Sequence, residues 1–152
     1  MMRKILVGLD DSAIATKVLS SASEIAERFD AELHLVHALD VPPEFPAAAA
    51  NADPHDALPA HLAAQATAHL AALAKGNVRA LRHPPIVIAG DPWHVIQQAG
   101  DRLGADLIVI GSHAFSWPDR ILGSVAGHLA NQGHINVLVV RPARDAAESK
   151  SS

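Results

Sequence analysis

Short apolar runs alternate with stretches of helical periodicity along most of the chain. Lys4 to Leu9 is a continuous run rich in β-formers and closed by Asp10-Asp11, the pattern of a central strand buried on both faces. Ser12 then stands at an N-cap position, and Ile14, Val18, Leu19, Ala22, Ile25, Ala26 and Phe29 recur at the spacing of an amphipathic helix that ends near Asp30. Ala31 to Ala38 predicts a second strand. Val41-Pro42-Pro43, Pro46 and the run Ala47 to Ala50 cannot continue a sheet and predict a mobile connection. A second helix is expected over Ala57 to Lys75, alanine-rich with a weak apolar face and ended by Gly76-Asn77.

Val78 to Arg82 leads into Pro84-Pro85, and Ile86 to Ala89 predicts a third strand ending at Gly90-Asp91-Pro92. Asp91 is placed to cap a third helix, with Pro92 at its first position and Gly104 at its end. Ala105 to Ile110 is the fourth strand, a fourth helix runs from near Leu122 to Gln132, and Val137 to Val140 is the fifth strand. Strands alternating with helices imply right-handed crossovers and a mostly parallel sheet covered on both faces, an α/β/α sandwich of Rossmann-like type. In such a fold ligands bind beyond the carboxyl ends of the strands, where the strand order switches. Asp10, Ala38, Gly90 and Gly111 stand at those ends.

The 152 residues fit one domain, placed at 1–142, and 143–152 reads as a disordered, solvated tail. Twelve basic residues against 16 acidic ones are scattered along the chain, which argues against a nucleic-acid or anionic-membrane surface. The absence of cysteine excludes disulfides, thiolate metal sites and cysteine nucleophiles. The first apolar run is too short for a signal sequence, and no run approaches the ~20 apolar residues of a membrane helix, so a cytoplasmic protein is expected.

Ile108-Val109-Ile110 runs into Gly111-Ser112-His113-Ala114, then Phe115 to Arg120, then Ile121-Leu122-Gly123-Ser124. A strand followed by a small-residue loop and a helix start can hold an anion such as phosphate, because the first helical turn leaves N–H donors unpaired. No nucleophile elbow, paired catalytic carboxylates or Ser-His-Asp order stands out, so no enzyme is expected. The chain has ten histidines, whose spacing bears on a metal site. His61 and His69 lie roughly 12 Å apart along a helix, and His34 and His37 point to opposite faces of a strand. No metal site is expected from these pairs.

In order, Ile5-Leu6-Val7-Gly8-Leu9-Asp10-Asp11-Ser12, Leu35-Val36-His37-Ala38, Gly90-Asp91-Pro92, Ile108 to His113, Leu122 to Ala126 and Val137 to Pro142 resemble the universal stress proteins of the adenine-nucleotide-binding α/β superfamily. The resemblance covers nearly the whole chain and implies five parallel strands in the order 3-2-1-4-5, homodimerisation and, in one branch, binding of ATP with magnesium. It assigns Asp10 to the adenosine end or the magnesium ion, Ala38 to adenine, and Gly111, Gly123 and Ser124 to the phosphates, with Ser112 and His113 lining the same turn. The fifth strand, Val137, Leu138, Val139 and Val140, would form the sheet edge and the dimer contact.

The ATP-binding branch carries a glycine, two residues, a glycine, nine residues, a glycine and then serine or threonine. Here Ala114 stands in place of the second glycine, and only eight residues, Phe115 to Leu122, precede Gly123-Ser124. Three functions follow as expectations: a nucleotide-sensing stress-response homodimer, a dimeric interaction module whose altered loop no longer holds nucleotide, and a slow adenine-nucleotide hydrolase.

Overall fold

The structure, a computed structural model, describes residues 1–39, 60–112 and 123–142. The predicted mobile connection, most of the phosphate loop and the C-terminal tail lie outside the described residues. Strand β1 (Lys4–Gly8) leads to α1 (Ala15–Phe29) and β2 (Glu32–Leu39), and α2 (Ala60–Leu73) to α3 (Val78–Leu81) and β3 (Ile86–Ala89). Then come α4 (Pro92–Leu103), β4 (Leu107–Gly111), α5 (Ser124–Gln132) and β5 (Asn136–Val140). All strand pairs are parallel, and the order is β3-β2-β1-β4-β5, as the resemblance implied.

Side-chain alternation divides the core in two. Ile5, Val7, Leu33, Leu35 and Val109 face α1 and α2, whereas Leu6, Val36, Ile108 and Ile110 face α4 and α5. Ile5, Leu6 and Val7 are all fully buried, which is why β1 reads as an unbroken apolar run. Helix α2 buries only Ala66 and Leu70 along its length, in keeping with its weak apolar face.

Three local expectations change. Ser12 does not cap α1: Asp10 Oδ1 accepts the Ser12 N–H at 2.9 Å, forming a turn ahead of the helix, and Ile14 becomes the N-cap residue. Asp91 occupies the N-cap of α4 but makes no capping bond through its side chain. Asn77, read as the end of one helix, starts another, its side chain accepting the Ala80 N–H at 3.0 Å to nucleate α3. Gly90 has φ +143°, a conformation that disfavours side chains, and its N–H donates to Leu39 O at 3.1 Å, tying the turn after β3 to β2.

Strand β4 starts two residues later than expected because Asp106 acts as a clip. Its Oδ2 accepts the N–H groups of Arg3 at 2.8 Å and Lys4 at 3.0 Å, locking the entry of β4 to that of β1. Those two backbone donors hold the Asp106 carboxyl below its ordinary range. With the folded-state value depressed, the clip contributes stability above the unfolded value of ~3.9 and loses it as pH falls through the lower folded value. Asp106→Ala should therefore lower urea stability at neutral pH, and its deficit relative to wild type should shrink as the solution is acidified below pH ~4. A pH-independent deficit in the urea midpoint would contradict the clip.

Candidate functional site

Because the strands are parallel, their carboxyl ends share one rim, and β1 and β4 separate there as the connections pass to opposite faces. The described residues enclose a cleft of about 410 Å³ at this point, within the ~300–1,000 Å³ usual for small-molecule sites. β1 and its turn contribute Gly8, Leu9, Asp10 and Asp11, β2 contributes His37, Ala38 and Leu39, and β4 contributes Ile110 and Gly111. Pro92 and Ile96 of α4 and Val125 and Ala126 of α5 close the sides. A larger groove of about 780 Å³ runs between α1 and the α2–α3 turn, but none of the expected site residues lines it.

Of those expected residues, Asp10, Ala38 and Gly111 meet in the cleft. Ser112 is buried and is not among the lining residues; its N–H donates to Val140 O at 2.8 Å, extending the β4–β5 ladder. Gly123 is the N-cap of α5 and Ser124 its first residue, exposed and beside the cleft, while Val125 and Ala126 form the wall. His113, like Ala114 and Arg120, lies outside the described residues.

Two lining residues missed by sequence reasoning have identifiable roles. His37 Nδ1 lies 2.6 Å from Leu9 O. A carbonyl only accepts, so Nδ1 carries the proton and His37 pins the end of β2 to that of β1. Ile96 is a helix-periodic residue, and only the crossing of α4 over the rim makes it part of the cleft. Asp11 is paired with His69 of α2 at 3.3 Å, a contact exposed enough to contribute little. The Ser12 hydroxyl is buried without a hydrogen-bond partner among the described residues.

Gly111 has a packing reason for its size. A Cβ there would lie 3.0 Å from Ile14 Cγ2 and 3.1 Å from Val18 Cγ2, so its absence lets α1 settle on the end of β4. The described lining is apolar below, through Leu9, Leu39, Ile96, Ile110 and Val125, and acidic at the mouth, through Asp10 and Asp11, with no lysine or arginine. An apolar slot suits a flat heterocycle. Phosphates at its mouth would depend on the first-turn amides of α5 and on a cation, and the two carboxylates are oxygen donors of the kind that fit magnesium.

Residues 1–141 match the universal stress protein family. The chain belongs to this family. A universal stress protein of Methanocaldococcus jannaschii is 28% identical over 152 residues, covering 93% of this chain and 83% of the relative. The solved structure of a family member from Burkholderia pseudomallei is 26% identical with a TM-score of 0.66, covering 92% of this chain and 96% of the other. A universal stress protein solved in complex with cAMP is 23% identical with a TM-score of 0.66, over 92% of this chain and 97% of that one, and this likeness speaks to the fold alone. Family membership and the sheet order agree. Among the described residues no helix is long and apolar enough to cross a membrane.

Replacing Gly111 by alanine requires Ile14 and Val18 to give by a few tenths of an ångström and should lower the urea unfolding midpoint modestly. An unchanged unfolding midpoint would remove the packing role.

Proposed function

We propose that this universal stress protein is a cytoplasmic sensor that binds an adenine nucleotide in the rim cleft and uses occupancy to bias a protein interaction. The observation that carries the reading is the convergence of Asp10, Ala38 and Gly111 at the β1–β4 switch. Ala38 and the apolar floor would receive adenine, and Asp10 would face the ribose or a magnesium ion. The first turn of α5, beginning at Gly123-Ser124, would meet the phosphates. Magnesium, when bound, neutralises phosphate charge that the two aspartates would otherwise repel. The cAMP complex of a protein sharing this fold supports the ligand class. His37 of the described lining is tied through Nδ1 to Leu9 O, which favours sensing over hydrolysis.

Asp10→Asn separates the roles, because an asparagine oxygen can still accept the Ser12 N–H while the charge is removed. Calorimetry should show Mg-ATP binding weakened about tenfold, or about 1.4 kcal/mol, with the fold retained. Mg-free cAMP should be spared where Asp10 serves magnesium and weakened as well where it serves the ribose. Wild type that gives no heat with either ligand, and releases no nucleotide on denaturation as judged by mass spectrometry, would overturn the reading.

The second reading, an interaction module without nucleotide, is favoured by Ala114, the eight-residue spacer and the lack of a basic side chain in the described lining. Under it, Ala114→Gly with one inserted loop residue creates binding that the wild type lacks. Equal binding by both proteins excludes it.

Either reading includes a homodimer through Val137 to Val140. β5 is an edge strand, and Leu138 is 36% exposed on it, leaving an apolar edge that a second copy would cover. Leu138→Glu should convert the dimer to a monomer in light scattering, whereas an unchanged mass places the contact elsewhere.

A further inference from the structure

The opposite rim of the sheet holds a second cluster of ligating side chains. Glu32 and His34 are two residues apart on β2 and so share a face. His83 reaches them from the segment between α3 and β3, just ahead of Pro84-Pro85. His34 Nε2 lies 3.1 Å from Glu32 Oε2, and His83 Nε2 lies 3.9 Å from the same oxygen. One ligating atom from each of the three residues falls within 4.8 Å of the other two. We propose that Glu32, His34 and His83 bind a divalent transition-metal ion of the zinc class, with a fourth position left to water or an external ligand.

The donor chemistry selects the ion. Two imidazoles and one carboxylate suit zinc, cobalt, nickel or copper, whereas calcium and magnesium prefer an all-oxygen shell. Bonds of ~2.0–2.2 Å to a tetrahedral ion place neighbouring donors about 3.3 Å apart. The observed 3.1 and 3.9 Å bracket that value. The imidazoles are now stacked, with centroids 4.2 Å apart and planes 21° from parallel. Closing on an ion requires one ring to turn out of this stack, and His83 is the one that lies outside any helix or strand.

Burial supports a ligand here. His34 is 8% exposed, and His83 Nε2 is buried with no hydrogen-bond partner among the described residues. An imidazole nitrogen shielded from water and left unpaired within 3.9 Å of a carboxylate is costly unless something binds it. Lys4, opposite Glu32 in the sheet register, gives its ammonium to Leu103 O at 3.2 Å. The bound ion would join β2 to the segment entering edge strand β3, independently of whether the cleft at the other rim holds nucleotide.

The test uses the untagged full chain with zinc chloride in calorimetry and cobalt chloride in visible spectroscopy. Wild type should bind one equivalent of zinc, raise its thermal midpoint and give the intense visible bands of tetrahedral cobalt. Loss of a supporting residue around such sites commonly costs about 10–100-fold in affinity, so loss of a ligand in His83→Gln or Glu32→Gln should weaken zinc at least about tenfold and abolish the cobalt bands. His83 sits outside the regular elements, and circular dichroism of both variants checks that the fold survives. His134→Gln, at an exposed histidine paired with Asp101, should bind as wild type. Absence of one-to-one binding in wild type, or binding unchanged in both ligand variants, overturns the site.

Discussion

The structure depends on β1 having a parallel neighbour on each side. A strand buried on both faces can satisfy its backbone only through such neighbours, and its side chains only if helices cover both faces. The chain meets both demands by passing α1 over one face on the way to β2 and α4 over the other on the way to β4. Among the described residues the reversal leaves no helix across the carboxyl ends of β1 and β4, and the cleft lies there. It is therefore a consequence of topology before it is a property of any residue in it.

Small residues near that cleft have more than one cause. Gly111 eases the seating of α1 on β4 even with no ligand, since a Cβ would lie 3.0 Å from Ile14 and 3.1 Å from Val18. A glycine in a nucleotide-like pattern is thus weak support for phosphate when packing already explains it. In the described lining, the acidic mouth formed by Asp10 and Asp11 would make a cation or the amides of α5 a condition for polyphosphate.

Histidine is used here by position more than by motif. His37 joins the ends of β1 and β2 through a carbonyl, while His34, three residues earlier and on the opposite face, stacks on His83 beside Glu32. Asp106 performs a related task at the same rim as that cluster, holding the entries of β1 and β4 together with a single carboxylate oxygen. The two ends of the sheet differ in consequence: Asp106 ties β1 to β4 at the entry rim, whereas at the exit rim His37 ties β1 to β2 and the space between β1 and β4 opens into a cleft.

Local periodicity determined the alternation of strands and helices, the burial of β1 on both faces, the weak packing of α2 and the places of Asp10, Ala38 and Gly111 at strand ends, because each depends on neighbours within a few residues. The family resemblance supplied the strand order. Helix α3 was missed because Asn77, which starts it, also looks like a helix stop, and Ser12 failed as a cap because the turn closed by Asp10 delays the helix to Ala15 and puts Ile14 at the cap position. What only the tertiary structure decided is which distant residues meet. Ile96 and Ala126 entered the cleft through helix crossing, and His83 came to Glu32 and His34 through the pairing of β3 with β2. Spacing tests within one element cannot find such groups, since the distance between elements is set by packing and not by sequence separation.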